Sequence, residues 1–268
     1  APNGIVLRAP ISSDYIIPEY IHHQKLFDVF HEYTNWGNLI NIGNAADLNS
    51  IISKGKIGEI IRMTESVQND KLYKIANDIF NNKDKIKMVL IAGPTSSGKT
   101  TTAHKLSMYL KSMGLNPEPV SLDDYYVEIE NTPKDSEGNF DYETVDAIDI
   151  RLFNEHLSKL LNKEEVSMPT YNFLTGKKVY KNKVLKLTDN DILVIEGLHA
   201  LNDKITNSIN RINKFKMYIS PLTGLNIDDH NRIPTTFSRK LRRIVRDFKF
   251  RGYGAEKTLS LWNKVREG

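Results

Sequence analysis

Cysteine is absent from all 268 residues. That excludes disulfides, thiolate metal sites and cysteine nucleophiles together, and leaves the fold to packing and hydrogen bonding. No run of about 18 apolar residues occurs, so no membrane-spanning helix is expected. Ala1-Pro2-Asn3 lacks the basic-then-apolar start of a secretory leader, and the expected location is the cytoplasm. Excess charge is small too: 37 basic against 33 acidic residues leave a net value of +4, too mild to point to nucleic acid by itself. What remains is a chain with 40% hydrophobic residues, enough for a real core in one large domain with a smaller one beside it. There is no initiator Met, and the sequence stops at Glu267-Gly268 within a helical pattern. We expect a piece of a longer protein with its C-terminal end incomplete.

The stretch that organises the rest is Lys87 to Thr102, which contains G-x-x-x-x-G-K-[ST] with Gly93, Gly98, Lys99 and Thr100 in the fixed places. Met88 to Ala92 reads as a buried parallel strand. Thr101 to Met113 reads as a helix that stops near Gly114. Gly93 lets the chain leave the strand tightly, and Gly98 lets the backbone approach an anion. Backbone N–H groups of Pro94-Thr95-Ser96-Ser97-Gly98 and of the helix start at Lys99, Thr100 and Thr101 would then face phosphate oxygens, Pro94 contributing shape only. Lys99 would reach the β- and γ-phosphates, and the Thr100 hydroxyl would ligate Mg²⁺. ATP with Mg²⁺ is the expected nucleotide. The rival is a glycine-rich turn that binds nothing.

Ahead of this motif, Gly4 to Arg8 reads as a short β-like run. Glu19 to Trp36 reads as an amphipathic helix with Leu26, Phe27, Phe30, Tyr33 and Trp36 on one side, a core stripe in preference to a stacking platform. His22, His23 and His31 lack a carboxylate at helical spacing and are not expected to hold metal. Ala46 to Ser53 and Ile57 to Phe80 read as further helices. Asn81-Asn82-Lys83-Asp84 is a polar break, so the expected domains are 1–84 and 85–268. Asn3-Gly-Ile-Val-Leu-Arg-Ala-Pro and Asn44-Ala-Ala-Asp-Leu-Asn resemble part of the N-terminal region of threonyl-tRNA synthetase, as it occurs fused to certain bacterial nucleoside kinases.

After the loop helix, Pro119-Val-Ser-Leu ends a short strand in Asp123 and Asp124. Ligands of open α/β sheets bind beyond the carboxyl ends of strands, so one of these acids can take a proton from an acceptor hydroxyl. A helix-capping role is the alternative. Residues 165 to 188 alternate about Thr175-Gly176 and read as a hairpin, with Tyr171 and Phe173 on one face. Asp191 to Glu196 is an apolar strand ending in a carboxylate, suited to hold Mg²⁺ directly or through water. Phe215 to Ile219 reads as another strand. Arg239, Arg242, Arg243 and Arg246 share one helical face, which suits a lid over a γ-phosphate; a solvated basic face or a nucleic-acid patch are the rivals.

Six pieces in order resemble the uridine kinase and phosphoribulokinase family. They are Gly93-Pro-Thr-Ser-Ser-Gly-Lys-Thr, Ser121-Leu-Asp-Asp-Tyr-Tyr, Asn139-Phe-Asp-Tyr-Glu-Thr-Val-Asp-Ala-Ile-Asp, Met168-Pro-Thr-Tyr-Asn-Phe, Val194-Ile-Glu-Gly-Leu-His-Ala-Leu and Arg242-Arg-Ile-Val-Arg-Asp-Phe-Lys-Phe-Arg-Gly. The resemblance implies that Asp123 is the general base for a nucleoside 5′-hydroxyl, with Asp124 ranked behind it. It implies that Tyr126 lines the sugar pocket and that Asp141 accepts from the ribose 2′- and 3′-hydroxyls. The hairpin would close over the base with Tyr171 packed on it and Phe173 beside it in the substrate pocket, the alternative being that both rings cover sheet core. Arg246 and Arg251 would be the foremost lid arginines, with Arg239 and Arg242 behind them, and Glu196 and Thr100 would serve the metal. The chain departs from the family at Gly176, where a base-reading histidine is usual, and at Tyr253, where another arginine is common.

The expected fold is therefore α/β: a P-loop parallel sheet flanked by helices, preceded by a small, mostly helical domain. The expected activity is ATP-dependent phosphorylation of the 5′-hydroxyl of uridine or cytidine. A related kinase of a phosphorylated sugar or pantothenate is the alternative, as is a nucleotide-dependent RNA-binding or regulatory module. A homo-oligomer is left open.

Overall fold

The computed structural model describes residues 8–10, 15–17, 19–136, 138–173, 175–181, 183–228 and 230–267, without the side chains of Arg251, Lys264, Arg266 and Glu267. The β-like run from Gly4 to Arg8 lies outside the described residues except for Arg8. The chain parts into two compact units: residues 1–57 with 224–233, and residues 58–223 with 234–268.

The smaller unit holds α1 (Gln24–Leu39) and α2 (Ala45–Ser53). The sequence motif at Asn44 has a local explanation. Asn44 caps α2 by accepting from Ala46 and Asp47 N–H, and the Asp47 carboxylate accepts back from Asn44 N–H at 3.2 Å, a capping box. The segment 224–233 returns to this unit from far along the chain. Asn226 C=O accepts from Ala45 N–H at 2.9 Å, and the Arg232 guanidinium lies 3.9 Å from the centre of the Phe30 ring. The expected core stripe of α1 is only partly covered: Phe27, Phe30 and Trp36 are half-buried, while Leu26 and Tyr33 are exposed. Two helices and one short segment supply too little surface to enclose a whole helix face.

The larger unit is built on a four-stranded parallel sheet, with β1 (Met88–Ala92), β2 (Asn116–Ser121), β7 (Asp191–Glu196) and β8 (Lys214–Tyr218) in the order β2-β7-β1-β8. Every residue of β1 is buried, and its side chains alternate between two cores. Met88, Leu90 and Ala92 face α5 (Ile150–Leu161) and the loops beyond β2; Val89 and Ile91 face α3 (Ile57–Asn81) and α4 (Lys99–Ser112). α3 delivers Ala76 and Ile79, both fully buried, into the second core. For that reason the compact unit begins at Gly58, ahead of the polar break at 81–84. Pro117 and Pro119 sit in β2, an edge strand, where a missing N–H donor is tolerated.

The arm at 165–188 is two short ladders in place of one continuous hairpin. β3 (Val166–Ser167) pairs with β6 (Val184–Leu185) at its base, and β4 (Thr170–Asn172) with β5 (Lys177–Val179) at its tip. Pro169 lies between β3 and β4 and cannot donate to a ladder. The tip is fastened to the body by Lys178, whose ammonium donates to Tyr126 C=O at 3.0 Å and to the Asp149 carboxylate at 3.1 Å. α6 (Thr235–Arg251), α7 (Ala255–Ser260) and α8 (Trp262–Glu267) complete the unit. No helix among the described residues is long and apolar enough to cross a membrane.

Gly176 turns the arm with φ of +66°, and a Cβ there would lie 2.6 Å from Ile129 Cβ. Gly176→Ala therefore combines left-handed strain with a clash, and should lower the unfolding free energy by about 2–4 kcal/mol. Denaturant unfolding tests this, and an unchanged midpoint for Gly176→Ala would refute the packing described.

Candidate active site

The loop after β1 is shaped by close approach. A Cβ on Gly93 would lie 2.6 Å from Ile219 C=O, so only glycine fits where β1 and β8 end side by side. Ser96 and Gly98 have positive φ, 61° and 103°, which curls the loop into a concavity of N–H groups leading into α4. The Ser96 and Ser97 hydroxyls are buried and have no hydrogen-bond partner among the described residues. Unpaired buried donors at a helix N-terminus are what an anion with several acceptor oxygens would satisfy.

Lys99 opens α4, and burial lowers its pKa against the opposing pull of Glu196 and Asp123. The parallel register of β1 with β7 sets Ile91 beside Glu196, which brings the carboxylate to the loop. Thr100 Oγ1 donates to Glu196 Oε1 at 3.1 Å. Burial and the neighbouring Asp123 push the Glu196 carboxyl up, while Lys99 and the Thr100 and Ser121 hydroxyls hold it down. No group of three or more acidic or histidine side chains among the described residues forms a metal cage. Thr100 and Glu196 offer hard oxygen donors of the kind that hold Mg²⁺ together with substrate phosphates, so this pair fits that ion.

Asp123 and Asp124 lie on a single 3₁₀ turn, Leu122–Tyr125, after β2. Consecutive side chains diverge there by about 120°. Asp123 enters the cavity; Asp124 turns away and accepts from Tyr171 N–H at 3.2 Å, pinning the arm. Ser121 Oγ accepts from Asp123 N–H at 3.3 Å and fixes the turn.

A cavity of about 370 Å³ connects these groups to an aromatic end. Thr95, Lys99, Asp123, Arg243 and Arg246 line one part of it; Tyr126, Phe140, Asp141 and Phe173 line another. Tyr126 is held by its hydroxyl, which donates to Tyr142 C=O at 3.1 Å, and by edge contacts to Tyr142, Tyr171 and Phe173. Tyr171 is buried behind this cluster, so Phe173, more than Tyr171, presents a ring to the cavity. Gly176 leaves no room for a side chain, as its packing on Ile129 requires.

The arginine helix α6 meets the loop directly. Arg239 Nε donates to Thr95 C=O at 3.1 Å, and an Arg242 amino group lies 3.2 Å from where a Gly98 Cβ would stand. Arg246 and Arg243 are both organised by Asp247, which is fully buried. Asp247 Oδ1 accepts from Arg246 Nε at 3.0 Å and Nη2 at 2.6 Å, while Oδ2 pairs with Arg243 Nε at 3.3 Å. The Thr258 hydroxyl of α7 adds a bond to Oδ2 at 3.3 Å. Arg251 ends α6, and its side chain lies outside the described residues.

The sequence pattern placed Arg243 on the lid face without singling it out, and passed over Glu143, Asp247 and Lys178. Asp247 stood in the quoted arginine motif, and a lone acid amid seven basic residues was the available signal. Glu143 stood two residues beyond Asp141. Burial pushes its carboxyl up, opposed first by Arg243.

The phosphoribulokinase / uridine kinase family model matches residues 88–268. The chain belongs to that family. A uridine kinase from Halobacterium salinarum is 29% identical over 163 residues, 60% of this chain and 63% of the relative. The match therefore spans less than two thirds of that relative. A uridine kinase from Borreliella burgdorferi strain ZS7 is 30% identical over 185 residues, 68% of this chain and 78% of the relative. Among solved structures, a proposed fructose transport system kinase from Silicibacter sp. TM1040 shares the fold, with a TM-score of 0.50 and 14% identity over 73% of this chain and 92% of that one.

Removing the Asp247 charge while keeping its shape would leave two arginines competing for a neutral amide. Asp247→Asn should lower the unfolding free energy by about 3 kcal/mol and weaken Mg·ATP binding. Thermal unfolding with and without nucleotide measures both; a variant that melts like the wild type would show that the pairing does not organise α6.

Proposed function

We propose that the chain transfers the γ-phosphoryl group of ATP to the 5′-hydroxyl of a pyrimidine nucleoside. The observation that carries this reading is the single cavity that runs from Lys99 past Asp123 to Tyr126, Asp141 and Phe173. It joins a phosphate cradle to a pocket with an aromatic face and acids suited to hydroxyl donors.

Asp123 takes the proton as the acceptor oxygen attacks the γ-phosphorus, and the bond from that phosphorus to ADP breaks. Lys99, Arg243 and Arg246 meet the negative charge that develops on the transferred group, with Arg239 and Arg242 steadying the loop. Bound Mg²⁺ neutralises phosphate charge, and Thr100 and Glu196 are the residues that would hold it. Arg251 remains in the proposed lid by its place in the motif.

Among the described residues, the acceptor end carries Asp141 and Glu143 and no cationic side chain beyond the α6 arginines, which favours a neutral polyol over a phosphorylated sugar. The arginines contact the loop and the cavity, which favours a lid over an RNA-binding face. The relatives named uridine kinase support a nucleoside as acceptor. Without a histidine at Gly176, base preference rests on the aromatic pocket. We read the smaller unit, residues 1–57 with 224–233, as an accessory element with a synthetase-like origin, and the location as cytoplasmic, where ATP and nucleosides meet.

ADP release from Mg·ATP over a panel of nucleosides, ribulose 5-phosphate and pantothenate tests the reading. Uridine or cytidine should be turned over, and Asp123→Asn should slow that turnover by about 10²–10⁴-fold. Turnover confined to another acceptor, or undiminished in the variant, would overturn it.

A further inference from the structure

We propose that Glu143 is an acceptor-binding residue whose carboxyl takes one hydroxyl of the sugar's vicinal diol while Asp141 takes the other. This rests on the nucleoside reading above and assigns a residue for which that reading has no task.

Asp141 would divide its acceptor sites between the diol and its own backbone. One is already engaged: Asp141 Oδ1 accepts from Glu143 N–H at 3.0 Å. That bond does a second thing, because it sets Glu143 directly beside Asp141 on the same wall of the cavity. The other side of the Glu143 peptide is fixed as well. Its C=O accepts from His199 Nε2 at 2.7 Å, and His199 stands on the loop that follows β7 and Glu196. The Glu143 backbone is thus clamped between the acceptor pocket and the metal-holding strand, and its side chain is presented from a rigid support.

The carboxyl itself is half-buried and lines the cavity, yet it makes no hydrogen bond or ion pair with any described residue. Its oxygens are open to the cavity, and a substrate hydroxyl is a donor that fits them. The charged groups that act on it are Arg243, Asp123, Lys99 and Asp141, and burial raises its pKa against the pull of the two cations. A carboxyl held in this way suits a neutral hydroxyl better than a cationic substrate.

The test compares a ribonucleoside with its 2′-deoxy and 3′-deoxy forms, using wild type, Glu143→Ala, Glu143→Gln and Asp141→Asn. The wild type should disfavour both deoxy forms. Glu143→Ala should lose about 10- to 100-fold in kcat/KM on the ribonucleoside, mostly through nucleoside KM. It should also cease to discriminate at one hydroxyl while still discriminating at the other; Asp141→Asn should show the converse. Glu143→Gln, which keeps an acceptor oxygen, should recover much of the loss, and Mg·ATP binding measured by calorimetry should be unchanged in both Glu143 variants. Full discrimination at both hydroxyls in Glu143→Ala would overturn the assignment. So would an equal loss of kcat on every acceptor, or a weakened affinity for ATP, which would make Glu143 a latch for Arg243. A wild type that turns over no nucleoside overturns the proposed function and this inference with it.

Discussion

The site is built around the charge of Lys99. Its ammonium is drawn out of water at the start of α4, and burial works against its protonated form. Glu196 and Asp123 offset that cost from two different strand ends, β7 and the turn after β2. Each of these acids is itself placed by backbone geometry: Glu196 by the parallel register with β1, Asp123 by a turn capped by Ser121. The same carboxylates crowd one another, and Asp123 pushes the Glu196 carboxyl up. A cluster of this kind, with Lys99 and the α6 arginines among several acids in a partly dry cavity, holds charges of both signs close together. ATP with Mg²⁺ would bring both signs to groups that the backbone already holds in place.

The second cationic group arrives from α6, and Asp247 decides where it points. Arginine side chains are long, and without a buried counter-charge Arg243 and Arg246 would be free to turn towards solvent. Pairing both with one carboxylate aims them into the cavity shared with Lys99. Thr258 and the Tyr253 N–H, which donates to Asp247 C=O at 3.1 Å, tie α7 and its approach to the same residue. The α6 arginines, helix packing and the terminal helices therefore depend on one buried acid. On the opposite wall Lys178 plays the corresponding part for the aromatic end, fastening the arm to Tyr126 and Asp149.

Much of this was legible in the sequence where local pattern and chemistry coincide. The apolar runs Met88–Ala92 and Asp191–Glu196 became β1 and β7 with those bounds, because a strand buried on both faces leaves an uninterrupted hydrophobic signature. The loop between β1 and α4 was readable because its glycines answer to steric demands. Less legible were features that depend on distant partners. The stripe of α1 promised a core that the small unit only half provides. Residues 224–233 gave no sign that they leave the α/β unit for the N-terminal helices. Asp124 matched its neighbour in composition, and only the pitch of a 3₁₀ turn separates a cavity-lining acid from a structural bond to Tyr171. Glu143 and Asp247 are acids in acid- and base-rich stretches, and what distinguishes them is burial, which composition does not report.

The most direct measurement of the charge balance at the centre of this account is the titration of the Lys99 ammonium, followed by NMR and assigned with Lys99→Arg. In the nucleotide-free protein its midpoint should lie below the ordinary lysine value of 10.5, as burial dictates, and should rise when Mg·ATP supplies phosphate oxygens. A Lys99 that titrates at or above the ordinary value in the empty protein would contradict the account, because its charge would then already be satisfied.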